Sequence, residues 1–124
     1  MGRRALCLAL ATALVVSTPG LDAQTPGDAE VLKGIQQVDD GDYDAAILTL
    51  DNAARRLASQ NASQKDLAQA YLYLGVAYMG KGAETSAKAR FRDALAQAKD
   101  LSLSPEKFPP KVINLFEAAK EEVA

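Results

Sequence analysis

Four aspartates, Asp39, Asp40, Asp42 and Asp44, fall within six positions, and carboxylates at such spacing are the raw material of a calcium loop. The ligand order that ends in a glutamate is absent. With Gly41 in their midst they read instead as a solvated turn between two helices. Asp93 and Asp100 form a second carboxylate pair, and paired carboxylates can do acid–base work. They share one predicted helix, and no pocket is built around them. The chain has no histidine and a single cysteine, Cys7, which removes the commonest general base and the commonest metal-ligating nitrogen. A nucleophile, a base and a group to orient it could come only from lysine, serine or carboxylates, and no Gly-rich phosphate loop is present. No catalysis, no cofactor and no metal is expected.

The charge balance points away from other partner classes. Fourteen basic and sixteen acidic residues leave a net charge of −2. There is no basic stripe of the kind that neutralises phosphates, so no nucleic-acid partner is expected. The 124 residues suffice for one small domain. A hydrophobic fraction of 48%, only 6% aromatic and without Trp, favours helices packed through small side chains and argues against disorder.

The N-terminus reads as an address. Arg3 and Arg4 precede an uncharged stretch from Ala5 to Val16, followed by Ser17, Thr18, Pro19 and Gly20, the layout of a secretory signal peptide over residues 1–23. The apolar run falls short of the roughly 20 residues that a bilayer requires. Cleavage is expected after Ala23, with Gly20 as the alternative. Removal of Arg3, Arg4 and Asp22 would shift the charge to −3 and leave no cysteine. The expected destination is export, periplasmic or secreted, in a bacterium, without a stable membrane span.

The remaining chain is built to present helices. A polar lead-in over 24–27 is followed by Asp28, a suitable N-cap, and by Val31, Ile35 and Val38 on one helical face. A second helix is predicted over about 43–59, striped by Ala46, Ile47, Leu50, Ala53, Ala54 and Leu57. A third covers about 65–79 and a fourth about 84–100, divided by Gly80, Lys81 and Gly82. Pro105, Pro109 and Pro110 interrupt regular helix, with one short turn expected at Ser104–Glu106. Pro110 suits the first position of a fifth helix, whose apolar face is Val112, Phe116, Ala119 and Val123.

The two hairpins repeat. Gly34 and Gly75 are 41 positions apart, as are Gly41 and Gly82, Ala46 and Ala87, Leu50 and Phe91, and Ala53 and Ala94, which marks a repeat architecture. Gly34 and Gly75 allow two helices close approach, while Gly41 and Gly82 permit a tight turn. Phe91 is sized to fill space against a following helix. Over Ala68 to Leu101, Tyr71, Leu74, Gly75, Tyr78, Ala87, Phe91 and Ala94 occupy the signature positions of the tetratricopeptide repeat family, which this segment resembles. Gly41-Asp42-Tyr43-Asp44-Ala45-Ala46 is similar to that family's turn into its second helix. The family's late proline is replaced by Lys99. Lys33 and Gln37 depart from it in the first copy, and seven extra residues, 61–67, separate the copies. These extra residues are expected to extend the second helix or lengthen the loop after it.

The resemblance implies an all-α fold: two antiparallel helix hairpins, about 27–60 and 68–101, with a capping helix at about 110–123, a short α-solenoid occupying 28–124. It also implies a non-catalytic adaptor that binds a protein or peptide on the face of each hairpin's first helix. By position that face is Val31, Ile35 and Val38 with Gln69, Leu72, Val76 and Met79. Tyr73 is expected either to be exposed beside it, as interface tyrosines are, or to be partly packed in the inter-repeat loop. The same apolar stripe also fits a buried core. Homodimerisation through it, carriage of an apolar small molecule or lipid tail between the hairpins, and service as an accessory subunit of an envelope complex are the other readings the residues leave open.

Overall fold

The structure is a computed structural model and describes residues 27–124; the expected leader over 1–23 lies outside them. Five helices follow in order: α1 (Ala29–Asp39), α2 (Tyr43–Ser59), α3 (Gln64–Gly80), α4 (Glu84–Gln97) and α5 (Pro110–Val123). No strand occurs among the described residues. α1 with α2 and α3 with α4 form two antiparallel hairpins, stacked through α2 against α3 and α1 against α3, while α5 packs on α4. The fold is an all-α short helical repeat.

Both hairpins are built on the same contacts, shifted by 41 residues. In the first turn the Gly41 N–H donates to the Val38 carbonyl and the Asp42 N–H to that of Gln37; in the second, Gly82 donates to Met79 and Ala83 to Tyr78. Gly41 and Gly82 hold φ of 80° and 81°, a left-handed geometry that costs an L-residue with a side chain. Inside each hairpin, a Cβ on Gly34 would overlap Leu50 and one on Gly75 would overlap the ring of Phe91. Leu50 and Phe91 therefore sit directly on bare backbone, and both are fully buried. Phe116 of α5 meets Phe91 edge-on, ring centres 5.6 Å apart and planes at 76°. Burying each of these two rings contributes about 1.5–3 kcal/mol.

The ends of the helices are tied by polar contacts. The Asp28 carboxylate accepts from the N–H groups of Glu30 and Val31, which caps α1. It also receives the Arg56 guanidinium at 2.8 Å, and Glu30 receives the same group at 3.0 Å, so the start of α1 is clasped to the last turns of α2. At the opposite end Lys81 pairs with Asp44, and the Tyr43 ring lies over Gly80.

Two features refine the expectation. The seven extra residues are shared between the connection after α2, which takes 61–63, and the first turn of α3, which takes 64–67. α2 stops at Ser59, the connection is short, and α3 begins at Gln64 with Ser63 accepting from the Asp66 N–H. The later four of the seven thus form the first turn of α3, and burial of Leu67 in the core holds it. α4 ends at Gln97 instead of reaching residue 100, since Ala98 adopts an extended backbone (φ −146°, ψ 94°). From there residues 98–109 run back along the second hairpin as a strap. Leu103 and Phe108 face the core, and a turn at Ser104 is closed by N–H groups of Lys107 and Phe108.

The strap sets the direction of α5. Lys111 at its start faces Glu84 at the start of α4, 3.9 Å apart. Glu122 near its end pairs with Arg92 and Lys88, while Val123 and Ala124 lie beside Leu95, Ala96 and Lys99. α5 therefore runs in the same sense as α4. It covers α4 through Val112, Phe116 and Ala119, which are buried.

Candidate functional site

The residues expected to line a binding face divide into two groups. Val31, Val38, Leu72 and Tyr73 are buried, whereas Ile35, Gln69, Val76 and Met79 keep part of their side chains in solvent. The buried four belong to the core, and at those positions the helical stripe serves packing.

Tyr73 corrects the expectation most clearly. It was expected to be exposed or partly packed in the inter-repeat loop, yet it retains 8% of its accessible surface. The Phe108 ring from the strap lies over it, with centres 5.8 Å apart and planes tilted by 45°. Burial pushes its phenol pKa up, and the negative charge of Asp39 adds to that. The strap takes this surface because Phe108, one residue ahead of two prolines, cannot join a helix and is anchored on the nearest aromatic. Leu72 is only 2% exposed, so it belongs to the interior as well.

Of the four accessible residues of the predicted face, Met79 lines a groove at one end of the molecule. It forms a wall of this shallow groove, of about 250 Å³, with Leu115 and Ala118 of α5. Glu84, Lys111 and Asn114 complete its lining. Apolar side chains are thus bordered by an acid, a base and an amide. The sequence pointed to Met79 but not to its partners, because the approach of α5 depends on the path of the strap.

A second hollow, of about 610 Å³, lies between the C-terminal halves of α4 and α5. Leu95, Ala96, Val123 and Ala124 line it with Arg92, Lys99 and Lys120. Sequence reasoning gave no sign of this hollow. Arg92 and Lys99 are seven apart on the fourth helix as expected from sequence, a visible basic edge, but nothing in the sequence shows that Lys120 and Val123 arrive opposite them.

Three of the aspartates first considered for chemistry have ordinary partners. Asp40 accepts from the Gln36 amide at 3.1 Å, and Asp44 pairs with Lys81. Asp93 pairs with Arg90 at 3.2 Å, and Arg90 lies over the Tyr71 ring, 6.0 Å from its centre. Among the described residues no group of three or more histidines, cysteines or carboxylates is arranged to hold a metal ion. No described helix is long and apolar enough to cross a membrane. Large apolar side chains in solvent include Leu48 on α2, 69% exposed, and Val123 on α5, 49% exposed. Comparison with family models, with curated proteins and with solved structures finds no match to this chain, so the likeness to tetratricopeptide repeats rests on the signature residues alone.

Proposed function

We propose that this chain is a non-catalytic adaptor of the bacterial envelope that holds a protein or peptide partner at the end of the hairpin stack where Met79 and Leu115 meet. The observation that supports this reading is the half-exposed apolar wall of Met79, Leu115 and Ala118, edged by Glu84, Lys111 and Asn114. An apolar centre within a polar rim of both signs is the anatomy of a protein contact, and methionine adapts its shape to what it meets. Export through the segment beginning at Arg3 and Arg4 belongs to the same proposal.

Leu72 is buried, so a charge there would test folding. Met79→Glu tests the groove. Crosslinking in cells and recovery of the tagged full chain should capture a partner that the variant loses while its circular dichroism stays helical. Recovery of the same partner by a folded Met79→Glu variant would remove this surface from consideration.

A further inference from the structure

The larger hollow lies away from the Met79 groove and has a different chemistry. Its apolar side chains, Leu95, Ala96 and Val123, come from both helices, and every charged side chain in its lining is basic: Arg92, Lys99 and Lys120. Its volume of about 610 Å³ falls in the ~300–1,000 Å³ range of small-molecule sites, which are mostly apolar with a few polar groups that fix orientation. The lining covers Arg92 to Ala96 on α4 with Lys99 just beyond it, and the last turn of α5, short in both directions. That is a compact hollow and not the long trough in which a partner helix lies.

The three cations are not equally committed. Arg92 bonds Glu122 at 2.7 Å, and Lys88 shares that carboxylate. Lys120 donates to the Leu101 carbonyl at 3.1 Å, and an ammonium has two further protons to offer. Lys99 has no hydrogen-bond or ion-pair partner among the described residues. Lysines near helix ends also offset the partial negative charge there, but that role requires no apolar hollow beneath them.

We propose that the hollow between α4 and α5 binds a monomeric single-chain anionic amphiphile, with the tail against Leu95, Ala96 and Val123 and the anionic head at Lys99 and Lys120. The complementarity is twofold: an apolar floor for the chain, and two lysine ammonium groups for the head. The site is separate from the Met79 groove and stands or falls independently of the adaptor reading.

Dodecanoate below its micelle concentration is the probe, titrated calorimetrically into the full chain. Dodecanol and dodecyltrimethylammonium serve as the uncharged and cationic comparisons. Dodecanoate is expected to bind one to one and more tightly than either. Lys99→Glu should weaken it roughly tenfold, equivalent to about 1.4 kcal/mol, and Val123→Asp should weaken it similarly. Both positions are exposed, so helical circular dichroism should be unchanged. Met79→Glu should bind dodecanoate normally, which separates this site from the adaptor surface. Equal binding of dodecanol, no binding of dodecanoate, or unchanged binding by both groove variants overturns the proposal. So does association with vesicles of phosphatidylcholine and phosphatidylglycerol without binding of the monomer, which would make the basic rim a membrane contact.

Discussion

Phe91 and Gly75 show at the level of single residues how much the 41-residue offset meant. The glycine has no helical advantage over alanine, and propensity alone would make Gly75→Ala favourable by about 1 kcal/mol. The overlap of a Cβ with the Phe91 ring acts against it, and overpacking a core costs about 1–3 kcal/mol. The ring is a rigid body wedged between α3 and Phe116 and cannot swing aside as a flexible chain end would. Gly75→Ala is therefore expected to lower unfolding stability in a urea titration, and Phe91→Leu in the same chain should recover part of the loss. Additive effects of the two substitutions would show that the glycine and the ring do not share one space. This socket was readable because it occurs twice. Tyr73 was not, since its burial depends on Phe108, which is 35 positions away and belongs to no repeat.

Among the elements, the α1–α2 junction has a pH dependence of defined sign. The hydrogen-bonded Arg56 guanidinium, acting against the effect of burial, holds the Asp28 carboxyl below its ordinary value of 3.8, and the Val31 and Glu30 N–H groups assist. A carboxyl lowered in the folded chain contributes stability that is complete above its unfolded value and is lost as pH falls through the folded one. Lys88 and Arg92 hold Glu122 below its ordinary value in the same way. Stability should thus fall as pH drops below about 4, near the unfolded carboxyl range. An Arg56→Met variant should lose less between pH 7 and pH 3, as read from urea midpoints at the two values. Equal losses would show that the clasp is not linked to folding. The Asp28 cap was legible from its position before an apolar stripe. The Arg56 clasp was not legible, because nothing local reveals that it spans 28 residues to the start of α1. The start of α3 was legible to within one residue, since the helix expected from about 65 begins at Gln64, and burial of Leu67 holds that first turn.

Across the whole molecule, contacts follow chain order, with α3 the most enclosed element because it meets α1, α2 and α4. Local opening follows enclosure, so amide hydrogen exchange should be slowest in α3, with α1 and α5 opening first. Protection of α5 equal to that of α3 would mean that the strap and the stack unfold as one unit. The all-helical class and the two hairpins followed from periodicity and repeat spacing, while the sense of α5 depended on how an irregular segment holding Pro105 and Pro109 lies on the core. That sense has a consequence for attachment. Five helices alternating in direction would place the first and last residues at opposite poles. The reversal by the strap brings them to the same pole: the Gly27 N–H bonds Asp66 at the start of α3 at 3.0 Å, and Ala124 lies beside Lys99 just past the end of α4. A tether at residue 27 or at residue 124 therefore presents the turns at Gly41 and Gly82, and the Met79 groove next to them, outward to whatever approaches, while a bulky fusion at residue 124 crowds the basic hollow.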